Sequence, residues 1–281
     1  VLKHSRKAWA AVCLLASVII SDPAAAKNEQ VMNYDVYAGG FHVVDAKLDV
    51  DMTAKNRYRL ELSAATQGFL RTLAPWDGVF KTNGWLDPKN IRPQTHQSIT
   101  TWKDEDETKT YTYNRDGTFK EYRVKDPEND GSPKPVESEL TKNTTDALSA
   151  TLGVMQNMGK TGKCEGTSDV FDGSRRYRMT FVHQQDTVLQ SNNYNVYAGP
   201  AVECTVEVQP MGGKWHKKPR GWMSIQEQGR ERGTMPTIWM AKMSDAGPAV
   251  PVKIRVKTEH GTLFMHLTGY QNGSKSLKLE D

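Results

Sequence analysis

The 281-residue chain carries 37 lysines and arginines against 33 aspartates and glutamates, a formal charge of +4 at neutral pH. A balance this close to neutral gives no electrostatic ground for a nucleic-acid partner. The length suits one large β domain or two small ones.

At the start, Lys3, Arg6 and Lys7 precede an apolar run from Ala8 to Ile20, which ends in Pro23-Ala24-Ala25-Ala26. These are the three parts of a secretory signal peptide, so residues 1–26 are expected to be cleaved after Ala26 and the rest to be periplasmic. The apolar run is too short to span a bilayer. A lipoprotein needs a cysteine at the cleavage point, whereas Cys13 lies inside the run and Lys27 follows Ala26. Without the signal the net charge is about +2.

Period-two alternation dominates the chain beyond the signal. Ala46, Leu48, Val50 and Met52 alternate with Asp45, Lys47, Asp49 and Asp51, the mark of a strand with one buried and one wet face. Tyr58, Leu60 and Leu62 do the same, as do Val252, Ile254 and Val256, then Leu263, Met265 and Leu267. Asn-Arg at 56–57, Asn-Arg-Asp-Gly at 114–117, Phe-Asp-Gly at 171–173 and Glu-His-Gly at 259–261 supply turns. The acidic run 104–107 reads as a hairpin tip. Residues 126–143, rich in proline and charge and without periodicity, read as an exposed connector between strand sets at 27–125 and 144–281 that form one continuous β domain.

One segment has helical spacing. Leu148, Leu152 and Met155 recur after Thr145-Asp146, which predicts a single helix over 145–157 with Asp146 capping its first turn and Gly159 just past its end. The adjoining Gly153–Thr161 stretch resembles a phosphate loop, but five residues separate its glycines where four are required. The expected fold is all-β with one short helix: a long antiparallel meander forming an open, curved barrel-like or spiral sheet.

Once Cys13 leaves with the signal, Cys164 and Cys204 remain in a chain bound for an oxidising compartment, and we expect them to pair. With 39 residues between them they lack the close spacing of a redox pair, so the expected role is structural. The heptapeptide Asn33–Gly39, NYDVYAG, returns as NYNVYAG at Asn193–Gly199. The copies diverge beyond seven residues, where a true repeat would continue for a structural unit. Both are read as strand ends entering a turn.

These segments also carry a family resemblance. Tyr34-Asp35-Val36-Tyr37 with Gly39-Gly40, DALSATL from 146, VFDGSRRYRM from 170, AGPAVECTVEV from 198 and PTIWMAK from 236 resemble a bacterial envelope family catalogued as domain of unknown function 3108. The resemblance implies a secreted, β-rich protein without assigned catalytic residues. By analogy it implies a fold like the open, curved barrels of periplasmic lipoprotein carriers.

No HxH, HExxH or Cys/His spacing marks a metal, no GxSxG motif marks a serine nucleophile, and no cofactor motif is present, so no metal, cofactor or catalytic residue is assigned. Two stretches invite binding. In 68–85, Phe69, Trp76, Phe80 and Trp85 lie on a segment broken by glycine and proline; with Trp239 they are the candidate lining of a cavity for an apolar ligand. In 214–222, Trp215 and Trp222 bracket Lys217, Lys218 and Arg220, a pattern suited to an anionic lipid surface and peripheral membrane contact. The leading expectation is therefore a non-catalytic periplasmic protein that binds an apolar or lipid-like envelope component on a concave aromatic surface. The alternatives are a scaffold for an envelope protein partner and an envelope hydrolase built across strands from His96, Asp146 or His183.

Overall fold

The computed structural model describes residues 29–87, 90–215, 222–244, 247–258, 261–273 and 275–279. The expected signal segment, Lys217, Lys218, Arg220 and the Trp222 side chain lie outside the described residues. In chain order the elements are β1 (Glu29–Ala38), β2 (Phe41–Asp51), β3 (Arg57–Thr66), α1 (Gly68–Leu73), β4 (Trp76–Leu86), β5 (Ile91–Trp102), β6 (Glu105–Tyr113), β7 (Phe119–Asp126) and β8 (Asn129–Pro133). Then come α2 (Ser138–Thr141), α3 (Ala147–Thr161), β9 (Gly166–Phe171), β10 (Arg175–Leu189), β11 (Gly199–Gly213), α4 (Trp222–Glu231), β12 (Thr237–Ala241), β13 (Val250–Thr258), β14 (Gly261–Asn272) and β15 (Lys275–Lys278).

All fifteen strands belong to one sheet, in the order β8-β7-β6-β5-β4-β3-β2-β1-β14-β13-β12-β11-β10-β9, with β15 attached to β14. Two antiparallel meanders are thus fused through the β1–β14 ladder, where Tyr34 pairs with Leu267 and Val36 with Met265. The sheet is all-antiparallel, as the alternation predicts, and it does not close: β8 and β9 are unpaired with each other. The two arms nevertheless meet through side chains. Tyr111 and Tyr122 from β6 and β7 pack on Phe171 of β9, and the Thr145 backbone bridges β9 at Val170.

Alternation determines the two faces. Met32, Tyr34, Leu48, Val50, Leu60, Val206, Val252 and Leu267 point inward and share one core with Leu152, Val154, Met155 and Met158 of α3. Each such side chain contributes about 1.5–3 kcal/mol on burial. The helix therefore fills the concave side. Asp146 caps α3 by accepting from the Ser149 amide, as expected. The disulfide between Cys164 and Cys204 forms, with Cα atoms 6.0 Å apart and both residues fully buried.

Four local differences have identifiable causes. First, α3 continues to Thr161 instead of stopping before Gly159, and Gly162 in the left-handed region ends it. Second, α1, α2 and α4 join the expected helix. Third, the 126–143 connector is partly ordered: the Asp126 carboxylate accepts from the Glu128 and Asn129 amides and so closes the turn into edge strand β8. Fourth, the second heptapeptide is not a strand end. Asn192 accepts from the Tyr194 and Asn195 amides, Asn195 accepts from Tyr197 and donates to the Val252 carbonyl, and these side chains replace a ladder. The Asp-to-Asn difference between the copies falls at that residue.

Candidate functional site

The five residues read as one aromatic lining do not share a surface. Trp76 and Phe80 lie on the inner face of β4, where both rings crowd the position a Gly78 side chain would take. Trp85 is on the opposite face, with Arg57 and Arg115 over its ring at 5.2 and 6.0 Å. Trp239 is buried on β12 beneath Lys253 at 5.0 Å and Arg255 at 5.2 Å. Phe69 projects from α1 into solvent. Strand parity separates them, and α3 occupies the concavity they were expected to line. Of the cationic stretch, Trp215 is folded back, its indole donating to the Gly212 carbonyl at 2.8 Å and standing edge-on to Tyr177.

An exposed apolar rim stands in place of that lining. Among the described residues, Phe41 is 64% exposed, Phe69 52%, Leu73 71% and Trp102 48%. They sit on three neighbouring connections: the β1–β2 turn, α1 and the β5–β6 turn. Phe41 and Phe69 stack edge to face at 5.6 Å, and Trp102 pairs in register with Trp76, which directly follows α1 and Pro75. Of this rim, only Phe69 was among the lining candidates read from the sequence. Phe41 begins β2 and Trp102 ends β5, and the strand order that puts these two ends on one side of the sheet is not revealed by spacing along the chain.

Two of the three residues considered for hydrolysis meet. His96 Nδ1 lies 3.4 Å from Asp146 Oδ1, and Thr82 donates to that same oxygen at 3.0 Å. Ser149 donates its hydroxyl to Asp146 Oδ2 at 2.5 Å and lies 2.6 Å from the Tyr58 hydroxyl. Burial alone pushes the Asp146 carboxyl up, but the His96 charge and the hydrogen bonds from His96 and Ser149 outweigh it and hold the group below its ordinary value. The carboxylate thus takes the serine proton position that an imidazole base would need, and the network fastens the start of α3 to β3, β4 and β5. His183 is elsewhere, paired with Cys204 on β10.

The outer face holds a polar row that sequence spacing could not predict. Asp45 of β2 stands opposite Asp35 of β1, which stands opposite His266 of β14, which stands opposite Lys253 of β13. A groove of about 460 Å³ crosses β1 to β4 here, with Asp35, Asp45, Ser63, Ala65 and Asp77 among its lining residues. His42 joins this face, with Nε2 2.6 Å from Asp45 Oδ1.

No helix among the described residues is long and apolar enough to cross a membrane, which leaves strand-borne crossing unaddressed. No curated protein sequence matches the chain. A similar solved structure is the crystal structure of a beta-barrel-like protein of domain of unknown function DUF1849 from Brucella abortus, with TM-score 0.51 and 11% identity over 88% of this chain and 99% of that one. At that identity the likeness concerns the fold alone. The model of the family described as protein of unknown function (DUF3108) matches residues 33–268, and the chain belongs to that family.

Proposed function

We propose that this is a non-catalytic β protein of the cell envelope, exported to the periplasm by its first 26 residues, that engages an apolar or lipid-like envelope component through its exposed rim. The observation that supports this reading is the gathering of Phe41, Phe69, Leu73 and Trp102 on three adjoining connections. Large apolar side chains scattered singly over a surface need no explanation, but a cluster of them does. Each would contribute about 1.5–3 kcal/mol if removed from water. The site differs from the concave lining expected from the sequence, because α3 fills the concavity.

The test is co-sedimentation of the purified protein with vesicles of envelope phospholipid. Wild type is expected to pellet with the vesicles, and the Phe41→Ser, Leu73→Ser, Trp102→Ser triple variant to stay in solution with an unchanged melting curve. Equal pelleting of the two proteins, or none by wild type, would remove the rim from consideration.

A further inference from the structure

We propose that Asp35, His42 and Asp45 form a binding site for a divalent transition-metal ion of the zinc class on the outer face of the β1–β2 hairpin. One donor atom from each lies within 4.8 Å of the other two. Donors about 2.0–2.2 Å from a common ion in a tetrahedral array stand about 3.3–3.6 Å apart, so rotamer adjustments that close the wider gaps and part His42 from Asp45 complete the set.

The backbone supports this grouping. Residues 42 and 45 have opposite parity and would face opposite sides of a regular strand. The register between β1 and β2 shifts here: Val36 pairs with Val44 and Tyr37 with His42, so Val43 is an extra, buried residue. This β-bulge turns His42 onto the face that carries Asp45. Bulges of this kind recur where a side chain must be re-aimed.

The electrostatics point the same way. Asp35 and Asp45 are directly opposed across the ladder, an arrangement of like charges that is destabilising unless a cation lies between them. His42 Nε2 is shielded from solvent and 2.6 Å from Asp45 Oδ1, yet makes no hydrogen bond. Ligands of one ion stand farther apart than this, so metal binding would replace the direct His42–Asp45 contact with a bond from each residue to the ion. The nearby Lys253 is not the missing cation for the pair, since its ammonium lies over the rings of Trp239 and Phe264 at 5.0 and 5.4 Å.

The surroundings include the partners that ligands need. Asp35 accepts from the Tyr37 hydroxyl and from Thr268, both at 3.3 Å, which holds its carboxylate in place. His266, nine-tenths buried and opposite Asp35, has an Nδ1 without a partner and stands within the same aromatic cluster as Tyr37 and Tyr194. One imidazole with two carboxylates favours zinc or manganese over calcium, which prefers oxygen alone. Three protein ligands leave a fourth position for water.

The experiment is isothermal titration of Zn²⁺ into untagged protein stripped with chelator, repeated with Co²⁺ while the visible spectrum is recorded. One equivalent is expected to bind, with cobalt bands in the visible. His42→Ala and Asp45→Asn are each expected to weaken binding at least about tenfold and abolish the bands, whereas His183→Ala on β10 leaves both unchanged. Because the ligands are half-exposed, the variants are expected to keep the wild-type melting curve in chelator, which separates lost binding from lost fold. Affinity that is unchanged in His42→Ala, or wild-type binding no tighter than millimolar, would overturn the proposal.

Discussion

The Tyr111 hydroxyl donates to the Asp172 carbonyl at 2.8 Å, tying β6 to the β9–β10 turn across the gap between the two ends of the sheet. No ladder spans that gap, so the seam depends on this bond and on the packing of Tyr111, Tyr122 and Phe171 around it. Gly173 in the same turn has φ +96°, and a side chain there would lie 2.5 Å from the Tyr122 hydroxyl.

Tyr111→Phe is therefore expected to cost about 1–2 kcal/mol, since it leaves a carbonyl without its donor and keeps the ring. Gly173→Ala combines backbone strain with a steric clash and is expected to cost more. Urea unfolding midpoints of both variants test this, and the idea of a side-chain seam does not survive if Tyr111→Phe matches wild type.

The strands were legible because a one-sided sheet leaves a period-two record: Ala46, Leu48 and Val50 all pack into the core as their alternation requires. The faces of their neighbours were less legible. Parity places His42 with Ala46 and Leu48, and only the bulge at Val43 reverses it, a pairing event that depends on β1. The rim was only partly visible for the same reason, because the strand order, and not spacing along the chain, brings the strand ends that carry Phe41 and Trp102 to one side of the sheet. The repeated heptapeptide misled because asparagine at 195 satisfies backbone groups with its side chain where aspartate at 35 stays in a ladder.

The bond between Cys164 and Cys204 ties the segment after α3 to β11 in the core. For a separation of 40 residues the chain-entropy model assigns roughly 4 kcal/mol. The Cys164→Ala, Cys204→Ala double variant is expected to unfold at a clearly lower urea concentration, by about 2–5 kcal/mol. Adding reductant should lower the wild-type midpoint toward it and leave the variant unaffected.

Asp146 should make stability pH-dependent on the acid side. Burial raises its folded carboxyl, but the His96 charge and hydrogen bonds from His96 and Ser149 overcome that and hold it below the ordinary 3.8. The hydroxyls of Tyr58 and Tyr113 also feel its charge. A depressed carboxylate contributes stability that is fully present above its unfolded value and is lost as pH falls through the lower folded value. Wild type is expected to lose stability below about pH 4, and Asp146→Asn to show a shallower fall. Parallel curves for the two proteins from pH 6 to pH 2 would assign the acid sensitivity to other groups.

Gly159 offers the sharpest contrast between local propensity and tertiary contact. It lies inside α3, where replacement by alanine ought to gain about 1 kcal/mol from reduced backbone entropy alone. A Cβ at this position would sit 2.4 Å from the Gly247 carbonyl oxygen and 3.4 Å from the Ala249 amide. Ala249 in turn donates to the Met155 carbonyl at 2.8 Å, so the 247–249 segment runs against the helix and cannot retreat without losing that bond. Both close atoms are backbone, which no rotamer change relieves. Gly159→Ala is therefore expected to destabilise by about 1–3 kcal/mol, the range for overpacked sites, and its sign opposes the propensity scale. Gly153→Ala in the same helix is the control: its Cβ would meet only Ile91 at 3.9 Å, an ordinary contact, and it should be neutral or stabilising. If both variants gain stability, the apposition of α3 and the 247–249 segment is looser than these distances require; opposite signs would establish it.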